Sequence, residues 1–165
     1  MITFNSSNPT NSYIYSFILG IETYFSGWPI TLTGNQGYAE RQEATIAEID
    51  SGTKEILIPQ GTRLYVLNND GTIKWQVLST EEFHTVSVGD IESDKNPEII
   101  ASDSKKINIY SNTGVLLRTI NDSRFNGDFI GTATLGNFDS DNKLEIAITT
   151  RGNPSSNPII NGQIF

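Results

Sequence analysis

The sequence predicts an all-β fold assembled from units of four antiparallel strands. Three observations predict it. Short apolar or alternating runs, bounded by turn residues, fill most of the chain. The runs recur in the same order at intervals of roughly 40 to 50 residues. No window shows the apolar spacing of an amphipathic helix.

"ETYFSGWPI" and the preceding "YIYSFI" read as the fourth and third strands of a unit that occupies 1–32 in part. The first complete unit is 44–78. Within it, 45–49 alternates as a half-buried strand does, and 55–59, "EILIP", is a continuous apolar run, as in a strand covered on both faces. The β-branched and aromatic run 63–68 follows, then "NNDG", a hairpin signal, then a strand over 73–77. The second unit, 85–121, repeats the order with strands at 85–91, 98–102, 106–111 and 115–120 and the turn "NTG" before the last. A third unit, 132–165, is incomplete: "TATLGNF", "EIAIT" and "IINGQIF" supply three strands. Ile49, Ile91 and Phe138 correspond, and the extra residues of the second interval fall in "NDSRFNGDFIG", expected to be a loop.

Four antiparallel strands at this period are the mark of a β-propeller blade. The chain is therefore expected to be a portion of a single propeller, with two whole blades and a partial one at each end. A closed ring of six to eight blades needs about 250 to 350 residues at this period. The 165 residues are expected not to close on themselves. Their terminal strands should pair with the remainder of a larger propeller or with a neighbouring chain, because open edges leave backbone groups unpaired.

Composition narrows the function classes. The net charge is −8, from 11 basic and 19 acidic residues. Nucleic-acid binding is disfavoured, since it needs Lys and Arg to displace counterions from phosphates. There is no Cys, hence no disulfide, thiolate metal site or Cys nucleophile. The longest apolar stretch, Tyr13 to Ile21, is far below the roughly 18 residues of a membrane span. No Lys or Arg precedes it, so it does not read as a signal peptide, and any export signal is expected to lie outside this chain.

The chemistry-bearing feature is a loop written twice, "GDIESDKNPEII" and "GNFDSDNKLEIAI". Counted from Asp90, carboxylates stand at positions 1, 3, 5 and 9 (Asp90, Glu92, Asp94, Glu98), with Asn96 at 7. The later copy has Asn137, Asp139, Asp141, Lys143 and Glu145. Calcium takes six to eight oxygens, and a tight loop supplies them from alternate side chains plus a backbone carbonyl. Asp90, Glu92, Asp94 and Glu98 are thus expected to converge on one point. The other reading needs no ion: the acids accept backbone N–H bonds and cap a strand-to-strand turn.

"VGDIESDKNPEII" and "LGNFDSDNKLEIAI" resemble the core of FG-GAP/VCBS-type repeats, the blades of integrin-α-like propellers. "SGWPITLTG" and "LYVLNNDGTIKW" look like the end and the inner hairpin of such blades. The resemblance covers most of the chain from about Gly27. It implies calcium in the acidic loops. The sequence departs from the pattern where Ser93, Lys95, Ser140 and Asn142 replace its glycines and Asn137 replaces its first acid. The corresponding segment of the first unit, 44–78, is one residue shorter, with Glu48, Asp50 and Glu55 remaining.

Other sites carry less. His84 is the sole His, no nucleophile-elbow sequence is present, and a lone His beside Phe83 reads as structural. Carboxylates that recur with the unit fit turn or metal duty better than glycosidase chemistry. Trp28 and Trp75 are expected to pack between units, with exposed sugar-stacking as the other reading. Asn5 and Asn121 lie in N-x-Ser sequons. The leading expectation is a non-enzymatic binding or adhesion scaffold, secreted or at the cell surface, whose rim loops hold a protein or glycan. The alternatives are the accessory propeller of a secreted carbohydrate-active or other hydrolytic enzyme, and a structural subunit that assembles through open blade edges.

Overall fold

A computed structural model of the chain describes residues 27–33, 43–50, 52–103, 106–121, 129–130 and 133–151. The described residues form β-strands and turns, with no helix among them. The expected strands "YIYSFI" and "IINGQIF", and most of "ETYFSGWPI", lie outside the described residues.

The first sheet contains β1 (Thr45–Ala47), β2 (Glu55–Gln60), β3 (Arg63–Leu67) and β4 (Ile73–Leu78). The second contains β5 (Phe83–Gly89), β6 (Glu98–Asp103), β7 (Ile107–Tyr110) and β8 (Leu116–Ile120). Each is an antiparallel meander in which neighbours along the chain are neighbours in space. After β9 (Phe129–Ile130), β10 (Thr134–Gly136) pairs with β11 (Glu145–Ala147). β12 (Thr150–Arg151) then turns back to pair with β9. The segment expected to be a plain loop before Thr132 therefore contains a short strand. Two residues are too few to show a period of two in sequence. No closed ring of sheets is present among the described residues.

The two large sheets are built alike in detail. In each hairpin the third and fourth strands meet through a bulge, at Val66/Leu67 in one and Ile109/Tyr110 in the other. The turns match as well. Gly71 N–H donates to Asn68 O and Gly114 N–H to Ser111 O, both at 3.0 Å. Gly71 and Gly114 have φ of 84° and 83°, the left-handed region that a Cβ disfavours.

The sheets stack face to face. One core joins them through Ile49, Leu57, Leu64, Val66, Phe83, Val86, Ile99, Ala101 and Tyr110. A second core, with Ile91, Ile100, Ile107, Ile109, Ala133 and Ile148, joins the second sheet to the β10–β11 ribbon. β6 lies between the two cores. Ile99 and Ala101 enter one and Ile100 the other, so every residue of β6 is buried. This is why Ile99, Ile100 and Ala101 are apolar in succession rather than alternating. β2 shares that sequence character but alternates instead: Glu55, Leu57 and Pro59 are buried, while Ile56, Ile58 and Gln60 are half-buried.

Polar contacts between the units recur with the packing. Trp28 Nε1 donates to Asn69 O at 3.1 Å, and Trp75 Nε1 donates to Asn112 O at 2.9 Å. Each tryptophan thus reaches the β-turn of the following sheet. Thr45 Oγ1 donates to Val86 O at 2.8 Å, and Ser87 Oγ donates to Ala133 O. These link successive first strands side by side.

Candidate functional site: three acidic loops

Three loops join a first strand to a second, between β1 and β2, β5 and β6, and β10 and β11. One bond is common to them. The glutamate that opens the second strand reaches back to the amide of the apolar residue that ends the first segment. Glu55 Oε2 accepts from Ile49 N–H at 3.1 Å, Glu98 Oε2 from Ile91 N–H at 2.9 Å and Glu145 Oε2 from Phe138 N–H at 2.7 Å. A carboxylate at that strand start therefore closes the loop whether or not the other acids bind anything. Glu55 and Glu98 are buried and Glu145 is half-buried.

The loops then differ. In the second, Asp90 takes the amides of Asp94 and Lys95 on its two oxygens, at 3.0 and 2.8 Å, and Asp94 takes that of Asn96 at 2.8 Å. These carboxylates point at their own backbone as turn-capping residues do. Among the described non-glycine residues, those with positive φ are Ser93 and Lys95, at 60° and 74°. Both occupy glycine places of the motif.

The third loop gathers its acids. One carboxylate oxygen each from Asp139, Asp141 and Glu145 lies within 4.8 Å of the others. Ligands at 2.3–2.6 Å around one calcium stand at most about 5 Å apart, so this spacing fits the ion. The donors are hard oxygens, as calcium prefers. Among the described residues no such group of three forms from Asp90, Glu92, Asp94 and Glu98. Asp139 Oδ1 also accepts from Asp141 N–H and Asp141 Oδ1 from Lys143 N–H, each at 2.7 Å. Asn137 turns its amide nitrogen to Asp141 O. Lys143 sends its ammonium to Glu92 Oε2, 3.3 Å away in the second loop, and Ser93 Oγ donates to Asn142 O at 2.7 Å. The second and third loops are therefore side by side.

Electrostatics separate the first loop from the second. Burial raises the Glu98 carboxyl above its ordinary range, the charges of Asp94 and Asp90 push it further, and the amides of Ile91 and Glu92 pull it partly back. In the first loop Lys74, on β4, places its ammonium 3.1 Å from Glu55 Oε1 and against Asp50. Asp50 is held low, chiefly by the Lys74 hydrogen bond, and Lys74 is raised, chiefly by Asp50. Sequence reasoning did not find Lys74. It lies 24 residues from Asp50 and 19 from Glu55, and one lysine in a strand gives no sign of its partner. His84 stands half-buried in β5. Trp28 and Trp75 are half-buried, and Trp75 packs on Gly114.

No known family model, characterised protein or solved structure matches the chain.

Proposed function

We propose that the chain is a non-enzymatic binding scaffold, made of successive blade-like repeats of an integrin-α-like propeller, with calcium set in its rim loops. The observation that carries this reading is the convergence of Asp139, Asp141 and Glu145 beside the Asp90–Glu98 loop. All three loops take the same place in their units, between the first and second strands, so a propeller built this way carries them on one rim. There they form a continuous polar surface for a protein or glycan. Two of the three clustered acids are exposed, which suits a weak site of the kind filled at the roughly millimolar calcium found outside cells. Secretion or surface display is part of the same proposal.

Thermal unfolding in calcium against a chelator tests it. Calcium should raise the midpoint, and Asp141→Asn should remove most of that gain. Binding to a glycan and matrix-protein array should require calcium and fail for the same variant. An unchanged midpoint at millimolar calcium would leave the three loops as ion-free turns.

A further inference from the structure

The three loops share the glutamate-to-amide bond and differ in what balances the charge beside it. Glu55 is completely buried, with both oxygens engaged: Oε2 by the Ile49 amide and Oε1 by the Lys74 ammonium. Asp50 lies against the same ammonium from the loop. The registers β3–β4 and β7–β8 show what stands at this place in the second sheet. Leu67 pairs with Ile73, and Tyr110 pairs with Leu116, so the residue that corresponds to Lys74 is Leu117, about half exposed. The second loop thus has a buried glutamate, two nearby aspartates and no ammonium in the place that Lys74 takes in the first.

We infer that Lys74 is the tethered cation of the first loop: its ammonium holds Asp50 and Glu55 together and makes this loop indifferent to divalent ions. Removing one partner of a buried ion pair leaves a charge uncompensated in the interior, which is strongly destabilising unless the carboxyl takes up a proton. An ammonium attached to the neighbouring strand supplies that charge at every ion concentration, whereas a free ion must be bound from solution. The stem of Lys74 runs from β4 and its head is only partly exposed, so the charge reaches Glu55 without being left in bulk water. The contrast with the other two loops rests on the calcium reading above; the role of Lys74 within its own loop does not.

Amide hydrogen exchange by NMR on the full chain separates the two. The reporters are Ile49, Ile91 and Phe138, the amides held by Glu55, Glu98 and Glu145. Millimolar calcium should slow Ile49 exchange no more than it slows exchange at Ser79, whose amide bonds Thr62 O at the far end of the same sheet. Lys74→Met keeps the stem and removes the charge; it should speed Ile49 exchange about tenfold more than it speeds exchange at Ile109 in the second sheet. Lys74→Arg should restore most of the protection. If Lys74→Met does not fold, the double variant Lys74→Met/Glu55→Gln, which removes both charges, should fold again. Ile49 exchange in the wild type that calcium slows more than it slows Ser79 exchange overturns the inference. So does Ile49 exchange in Lys74→Met that rises no more than Ile109 exchange, or a double variant that does not regain the fold. Calcium-insensitive Ile91 and Phe138, with Ile49 still dependent on Lys74, sinks the calcium reading and upholds the tethered cation.

Discussion

Ser93 and Lys95 hold left-handed backbone at positions where glycine would do so without strain. A side chain in that region costs roughly 1–2 kcal/mol, and glycine returns roughly 0.5–1 kcal/mol of it through the freedom of the unfolded chain. Lys95→Gly should therefore stabilise the protein by up to about 1 kcal/mol in urea unfolding. A loss of stability would mean that the lysine side chain itself makes a needed contact. The motif predicted glycine here, and the backbone has the glycine conformation although the residue is not glycine. Glu98 yields a second expectation. Its carboxyl is raised in the folded state, first by burial, so the folded protein holds that proton more tightly than the unfolded chain. The associated stability is present at low pH and is lost as pH climbs from the ordinary carboxylate range through the raised value. Glu98→Gln abolishes this loss and keeps an acceptor for the Ile91 amide. Without divalent ions, the variant should gain on the wild type between about pH 4 and pH 7. A constant difference across that range would contradict the assigned environment.

At the scale of elements, the turn glycines do more than close hairpins. A Cβ on Gly114 would stand 2.9 Å from Trp75 Cδ2, and φ is 83° besides. Gly114→Ala should cost about 1–3 kcal/mol, from backbone strain together with displacement of the ring. Trp75 fluorescence should shift with it, because the indole loses its seat and its bond to Asn112. β6 and β2 make a further contrast. Ile100 is fully buried and Ile56 half-buried, so Ile100→Ala should cost about 2–5 kcal/mol and Ile56→Ala clearly less. The sequence placed all eight strands of the two large sheets, because turn chemistry at "NNDG" and "NTG" and the runs between them are local signals. It read "EILIP" and "EIIAS" as equivalents, since a run of apolar residues does not say how many faces are covered. Pairing of β9 with β12 was illegible for a similar reason: its partners lie 20 or more residues apart and each strand has two residues.

At the scale of the whole molecule, the cores decide cooperativity. Neither large sheet owns the core between them; Leu57, Leu64 and Val66 come from one and Phe83, Val86, Ile99 and Ala101 from the other. The two sheets should unfold together, with Trp75 fluorescence and far-ultraviolet circular dichroism giving coincident transitions. Separate transitions would mean that the stacking contributes little. The acidic loops were legible as a pattern because their residues are close in sequence. The choice between ion and turn was not, because it depends on which way each carboxylate points. Asp90 spends both oxygens on its own amides, whereas Asp139 and Asp141 cap amides too but stand with Glu145 close enough for their oxygens to share one centre.

The meander order of each large sheet also bears on how the chain reaches this state. Every pairing within the first sheet joins strands that follow one another, and the whole of it, Thr45 to Leu78, is available before Phe83 is made. Short-range pairings are the ones that close fastest, because little loop entropy is lost before contacts form. Hairpins can thus assemble in the order of synthesis, each new sheet settling on the one already formed. The growing face remains apolar until the next sheet arrives, so the hazard on the ribosome is a stalled chain whose last completed sheet waits uncovered.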